Sequence, residues 1–340
     1  MELPRLAVIG ATGAVGTIVR ELLAQRDVGF QSIRFFGSPG NRGRSLQFRG
    51  VEIPVEPLLK ENIRDLDLVI ASIPDDVALE CAPWIVEQGG VMIDESAAHR
   101  MRSDVPLVVP EVNADAAANH NGIIASPNCS TTQLVICLQP IHRSYGIRRV
   151  VVATYQSASG AGEAARQELF DGMRGELAGD RPMPQHFEHF LPMNLIPKIG
   201  SAQDDGSTSE ETKMVLESRK ILGDDNLQMA VTCVRVPVEY CHSEAVFVET
   251  DKLVDAETAR RLFDHEPGIV VTDDPANAQL PTPLACSGSD QVFVGRIRQD
   301  HSVENGIAFW CVSDNLRKGA ATNAVQIAEL LVRRELVNCR

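Results

Sequence analysis

Short apolar runs alternate with amphipathic stretches through the first 125 residues, the pattern that βαβ units lay down around a parallel sheet. The runs are LAVIG (6–10), IRFFG (33–37), LDLVIAS (66–72), GVMIDE (90–95), LVVPEV (107–112) and GIIAS (122–126). A parallel strand is covered on both faces and so is apolar along its length, as these mostly are. Amphipathic stretches at 14–26 and 76–88 predict two of the intervening helices.

From residue 148 the texture changes. Longer β-rich runs follow, RRVVVATYQ (148–156), LQMAVTCVRVPVEY (227–240), SEAVFVET (243–250), QVFVGRIRQD (291–300) and GIAFWCVSD (306–314). They predict an antiparallel or mixed sheet, covered on one side by helices at 161–177 and 210–221. Residues 178–208, rich in Pro, Gly, Asp and Ser, read as loop. The last run, LRKGAATNAVQIAELLVRREL, has helical spacing and predicts a long terminal helix packed back onto the first domain. The expectation is an α/β fold in two domains, 1–127 completed by a helix at 315–340, and 128–314.

Composition narrows the function. Of 340 residues, 32 are Lys or Arg and 46 Asp or Glu, a net charge of −14. That argues against a nucleic-acid partner, which needs a basic face. No apolar run approaches the ~20 residues of a spanning helix. The N-terminal MELPRLAVIG has no basic start leading into a long apolar stretch, so no secretory signal is expected. The eight cysteines contain no CxxC pair, which removes the usual zinc and thioredoxin-like readings; no metal site is expected.

The strongest local motif is GATGAVG, Gly10 to Gly16, directly after a strand and opening a helix. In that context Gly10, Thr12, Gly13, Ala14, Val15 and Gly16 let the backbone approach a pyrophosphate, which the helix N-terminus then binds. This makes the first domain a Rossmann-like dinucleotide-binding domain. At the end of the second strand an NAD site usually carries an acid for the ribose. Here IRFFGSPGNRGRS offers Ser38, Asn41, Arg42 and Arg44 instead, which favours NADP.

One cysteine differs from the others. In GIIASPNCSTTQLVICL, Asn128 is a good N-cap and Cys129 begins a helix running to about residue 142. A thiol in the first helical turn meets the positive end of the macrodipole, which favours the nucleophilic thiolate.

SPNCSTTQ together with GATGAVG resembles the aspartate-β-semialdehyde dehydrogenase family, and the resemblance spans nearly the whole chain. It continues in order through DESAAHRM, VPLVVPEVN, TYQSASGAG, SEETKM, RVPVEYCHSEAVFVET, VFVGRIR and SDNLRKGAATNAVQIAE. The resemblance implies a second domain that is α+β with a mixed sheet, catalytic and dimer-forming. It implies NADP-dependent reduction of β-aspartyl phosphate to aspartate semialdehyde by a cytoplasmic homodimer, in lysine, diaminopimelate, threonine and methionine biosynthesis.

Residue by residue, Cys129 matches the acylated nucleophile, His242 the general acid/base and Gln156 a group that orients the acyl-enzyme. Arg235 matches the partner of the substrate α-carboxylate, Glu210 that of the α-amino group, and Arg100 and Lys213 the phosphate site. Ser159, Gly160 and Asn315 match positions near the nicotinamide, and Ser38, Gly40 and Asn41 the adenosine side of the cofactor. The chemistry asks for these residue types: a cysteine to hold the carbon that exchanges hydride, a histidine to move a proton, and guanidinium forks for carboxylate and phosphate.

Other readings stay open on the residues alone. Arg235 ends an apolar strand and needs either a bound anion or an internal carboxylate. Lys213 and Glu210 could form an i,i+3 surface ion pair, and Gln156 a sheet-edge hydrogen bond. The rival functions are a related acyl-phosphate reductase, such as one acting on N-acetylglutamyl phosphate, a glyceraldehyde-phosphate dehydrogenase, and a non-catalytic dinucleotide-binding paralogue. Three departures from the family pattern stand out: Gly40 and Asn41 where an arginine and a serine are usual, ASIPDD for a Gly-rich turn, and DESAAH for DNSSAF. Asp75 and Asp76 are read as capping the helix that follows, and Glu95 and His99 as close to the phosphate site.

Overall fold

The computed structural model describes residues 2–41 and 43–339. The chain divides into two compact units, Met1–Asn128 with Ala320–Arg340, and Cys129–Gly319.

In the first unit β1 (Arg5–Ile9), α1 (Ala14–Gln25) and β2 (Ser32–Gly37) form the opening βαβ unit. A hairpin of β3 (Ser45–Phe48) and β4 (Val51–Pro57), then β5 (Leu68–Ala71), α2 (Asp75–Val86), β6 (Val91–Asp94), α3 (Pro110–Asn113) and β7 (Ile123–Ala125) follow. The sheet runs β3-β4-β2-β1-β5-β6-β7. Every pairing is parallel except β3 with β4. Leaving β3 aside, this is the doubly wound dinucleotide-binding order, whose winding reverses beside the first strand and opens a crevice there. Leu6, Val8, Phe35, Leu68, Ile70 and Ile93 form its core with Val19, Leu22 and Leu23 of α1.

Two sequence expectations change here. The run 107–112 is not a strand: Leu107 makes a single bridge to Ala125, and Pro110 starts α3. Proline's fixed φ and missing N–H suit a first helical position and not a sheet ladder. The β3–β4 hairpin was not anticipated, because its residues are largely exposed and lack a continuous apolar run.

The second unit opens with α4 (Cys129–Tyr145) and continues with β8 (Ile147–Gln156), α5 (Glu163–Ala178) and α6 (Ser209–Leu222). Then come β9 (Gln228–Arg235), β10 (His242–Thr250), α7 (Ala256–His265), β11 (Ile269–Val271), α8 (Pro283–Cys286), β12 (Val292–Asp300) and β13 (Gly306–Ser313). The sheet order is β11-β12-β13-β10-β8-β9. It is mixed: β8 with β9 and β11 with β12 are parallel, the rest antiparallel. α4 packs on β8, β10 and β13, flanked by α6 and α7. The other face leaves Tyr155 and Phe247 exposed, with the Tyr155 and Trp310 rings 5.2 Å apart.

Strand direction places the functional residues. Parallel β8 and β9 end together, with Gln156 and Arg235 as register partners. Antiparallel β10 begins at the same edge with His242, opposite Ser313 at the end of β13. The terminal segment is a π-helical turn, Arg317–Ala321, leading into α9 (Thr322–Arg333). The apolar side of α9, with Val325, Ile327, Ala328 and Leu331, joins the first unit's core.

Candidate active site

The glycine turn of the first unit is shaped by close backbone approach. Gly10 has φ +81°, and a Cβ there would run into the Ser72 carbonyl oxygen; one at Gly16 would strike the Gly10 carbonyl. Both positions therefore exclude a side chain. α1 has Gly13 as its N-cap, with no side-chain cap and no acid in the first turn. Thr12, Gly13, Ala14 and Val15 reach the surface while Gly16 is buried. Amides at an uncapped helix start suit a pyrophosphate, so the donor set fits a dinucleotide.

Beyond β2, Asn41 donates from Nδ2 to Ser38 Oγ at 3.0 Å, and Arg44 Nη1 donates to Asn41 Oδ1 at 2.9 Å. Gly40 leaves open room, since an added Cβ would meet only Ser38 Oγ at 3.9 Å. Arg42 lies outside the described residues. The capping role read for Asp75 and Asp76 is corrected: Pro74 holds the N-cap position of α2, and no side chain caps it. Both acids lie in its first turn, where the helix dipole favours them, and Asp75 Oδ1 accepts from Ala97 N–H at 2.8 Å.

Arg100 is buried in the same unit, donating from Nε to the Ser126 carbonyl at 2.9 Å and from Nη2 to the Glu95 carbonyl at 2.8 Å. Asp94 and His99 are buried and joined, Oδ2 to Nδ1, at 2.6 Å. The Glu95 carboxylate accepts from the Ser72 hydroxyl. Burial pushes the Glu95 carboxyl up to about 7, against the Ser72 hydrogen bond and the Arg100 charge, and with help from Asp94.

In the second unit Cys129 is the first residue of α4 and only partly buried, whereas Cys81, Cys137, Cys233, Cys241, Cys286 and Cys311 are buried. Gly319 leaves room for it: a Cβ there would stand 2.8 Å from Cys129 Cβ. Gly319 was not singled out from sequence, since its partner is 190 residues away and no motif marks it.

Gln156 is buried and donates from Nε2 to Glu210 Oε1 at 3.3 Å and to Thr154 Oγ1 at 3.4 Å. Glu210, also buried, stands 3.8 Å from Lys213 Nζ through Oε2. The i,i+3 pair is thus present, and it is joined to Gln156. Arg235 is 7% exposed, and its Nη1 donates to the Ser157 carbonyl at 2.6 Å. No carboxylate forms an ion pair with it among the described residues. Burial lowers its pKa, opposed by Cys129 and Glu210. A buried guanidinium held by a carbonyl is a ready anion receptor, which favours the bound-anion reading over an internal carboxylate.

His242 is fully buried, and burial, reinforced by the Arg235 charge, holds its pKa well below the usual histidine range. It is therefore neutral near pH 7. Asn315 Oδ1 accepts from Cys241 N–H at 3.0 Å and from Ser159 Oγ at 3.2 Å. A Cβ on Gly160 would stand 2.9 Å from His242 Nε2 and 3.2 Å from Arg235 Nη1. Gln156, Ser159, Gly160, Arg235, His242 and Asn315 thus meet at one sheet edge, with Glu210 and Lys213 joined to them through Gln156. Arg100 and the glycine turn belong to the first unit.

Comparison with known proteins decides the family. Residues 5–120 match the semialdehyde dehydrogenase NAD binding domain, and residues 138–318 the semialdehyde dehydrogenase dimerisation domain. The aspartate-semialdehyde dehydrogenase of Aquifex aeolicus is 45% identical, over 98% of this chain and 99% of its own. The chain belongs to the aspartate-semialdehyde dehydrogenase family. The Synechocystis aspartate-semialdehyde dehydrogenase is 43% identical over 97% of this chain and 98% of its own. Among solved structures, aspartate semialdehyde dehydrogenase II of Vibrio cholerae superposes with a TM-score of 0.94 at 41% identity, covering 98% of this chain and 99% of that one. The same Vibrio enzyme, solved complexed with ASA, superposes equally well.

Proposed function

We propose that this chain is an NADP-dependent aspartate-semialdehyde dehydrogenase that converts L-4-aspartyl phosphate to L-aspartate 4-semialdehyde through a thioester on Cys129. The observation that carries the reading is the sheet edge where buried, neutral His242 meets buried Arg235, beneath the helix that starts at a half-buried Cys129.

In this reading the Cys129 thiolate attacks the acyl carbon; the C–S bond forms as the C–O bond to phosphate breaks, and phosphate leaves with the electron pair. Arg235 receives the substrate α-carboxylate and Glu210 the α-ammonium, while Gln156, already bound to Glu210, orients the acyl group. Arg100 and Lys213 receive the phosphate. A bound reduced nicotinamide supplies the hydride. His242 assists collapse of the thiohemiacetal to the aldehyde, and Ser159, Gly160 and Asn315 shape the space beside the reacting carbon.

The NADP preference rests on Ser38, Asn41 and Arg44, a linked set without an acid that suits a 2′-phosphate. A homodimer is supported by the open apolar sheet face of Tyr155, Phe247 and Trp310, which suits a second copy of the chain. No disulfide joins the cysteines among the described residues, which agrees with a reducing cytoplasm. The product, an amino-acid aldehyde, fits the lysine, threonine and methionine routes.

The test is a nicotinamide absorbance assay with aspartate semialdehyde and phosphate, run with NADP and then NAD. Turnover with NADP supports the proposal; silence with both cofactors favours a non-catalytic binder, and turnover only with another semialdehyde favours a related reductase.

A further inference from the structure

Asp314 follows Ser313 at the end of β13 and is buried. Its Oδ1 accepts from the N–H groups of Leu316 and Arg317 at 3.0 and 3.2 Å, and its Oδ2 from the N–H of Gly288 at 2.8 Å. Its backbone carbonyl accepts from Gly319 N–H at 3.1 Å, five residues on, the bond that closes the π-helical turn. One buried carboxylate thus holds three backbone N–H groups through charge-assisted bonds, each roughly twice as strong as a neutral one.

The turn is tied down again beside it. Arg317 Nε donates to Asp290 Oδ1 at 2.8 Å, and the Ser313 hydroxyl donates to the Gln291 carbonyl at 3.3 Å. The stretch that carries Gly288, Asp290 and Gln291 leads straight into β12, where Val292 is the register partner of Ser313. The turn is therefore anchored on the sheet itself.

Both ends of the turn meet the site. At its start Asn315 Oδ1 accepts from the N–H of Cys241, the residue before His242, at 3.0 Å, and from the Ser157 hydroxyl at 3.0 Å. At its end Gly319 lies against Cys129. Gln156, Glu210 and Arg235, assigned above to the substrate, stand on β8, α6 and β9 instead.

We propose that Asp314 is a positioning residue for the reaction: it fixes the turn that carries Asn315 and Gly319, and through Gly319 it sets where the Cys129 thiol stands. The inference rests on the role given above to Cys129. π-helical turns are rare and recur at functional sites, and this one takes its fixed start from the carboxylate. Asparagine cannot replace it fully. Its single oxygen keeps either the two N–H groups of the turn or that of Gly288, and its amide N–H₂ meets the other as donor against donor.

The test is Asp314→Ala and Asp314→Asn in the full chain, read by steady-state kinetics and by alkylation of Cys129. Asp314→Ala is expected to lower kcat about a hundredfold and to change KM for aspartate semialdehyde by less than about threefold, because the thiol is displaced while the substrate's own contacts stay. Asp314→Asn, which keeps part of the bonding, is expected to lose about tenfold in kcat. With no substrate present, iodoacetamide is expected to label Cys129 at least about threefold faster in Asp314→Ala than in wild type, since Gly319 no longer crowds the thiol. Peptide mass spectrometry reads that rate. Unchanged labelling of Cys129, or a rise in KM as large as the loss in kcat, makes the carboxylate merely structural and overturns the proposal. If the alanine variant fails to fold, the asparagine variant decides: wild-type kcat with wild-type labelling overturns the proposal. Because labelling is read on resting enzyme, it tests the hold on Cys129 even if Cys129 proves not to be the nucleophile.

Discussion

Gly319 lies against Cys129, so close that a Cβ on the glycine would stand 2.8 Å from Cys129 Cβ and 3.2 Å from its Cα. The glycine is needed for space and not for an unusual φ, so alanine there presses directly on Cys129. Gly319→Ala is expected to cut kcat about a hundredfold by displacing the thiol, with a stability loss of about 1–3 kcal/mol from overpacking. Steady-state kinetics and thermal melts check this; an alanine variant with wild-type kcat contradicts the assigned geometry.

Arg44 is the described cation beside Ser38 and Asn41. Arg44→Ala is expected to raise KM for NADP about tenfold, the worth of one charge-assisted contact, and to leave KM for NAD nearly unchanged. Equal loss for both cofactors would show that Arg44 does not read the 2′-phosphate.

Glu244 sits in β10 with no exposed surface, facing Gln133 and the Cys311 thiol, which donates to Oε2 at 3.5 Å. Burial pushes its carboxyl up from the usual 4.5 to about 8. Between these values the folded protein keeps a proton that the unfolded chain has released, so folding stability falls as pH rises through that window. Its slope is roughly 1.4 kcal/mol per pH unit at most. Glu244→Gln cannot ionise, so its Tm relative to wild type should improve steadily from about pH 5 to about pH 8. A constant difference across that range would mean that Glu244 does not carry the effect.

Cys129→Ser is expected to abolish turnover while NADP affinity, read by fluorescence titration, changes little, because the glycine turn and Ser38–Asn41 belong to the other unit. Full activity in this variant would remove the covalent mechanism.

What could be read in the sequence was chemistry confined to a short stretch. GATGAVG and the setting of Cys129 at a helix start carry their reasons within a few residues, and the parallel strands around them are marked by apolar runs. The LVVPEV run misled because its apolar residues outweighed Pro110, which ended the strand pattern before it could form a ladder. α7 was missed although Asp255 caps it, since its few apolar positions fall within a mainly charged stretch. The residues alone left Arg235 between a bound anion and an internal carboxylate, because the choice depends on its neighbours in space. Asp314 was passed over for the same reason: its partner Gly288 lies 26 positions back along the chain, and no motif pairs the two.

The account turns on a covalent bond between substrate and Cys129. The most direct measurement incubates the enzyme with aspartate semialdehyde and NADP in the absence of phosphate, then digests it for peptide mass spectrometry. The account predicts about one reduced nicotinamide per site and an aspartyl thioester on the peptide bearing Cys129. No adduct at Cys129, or an adduct on another cysteine in an enzyme that still turns over, would contradict it.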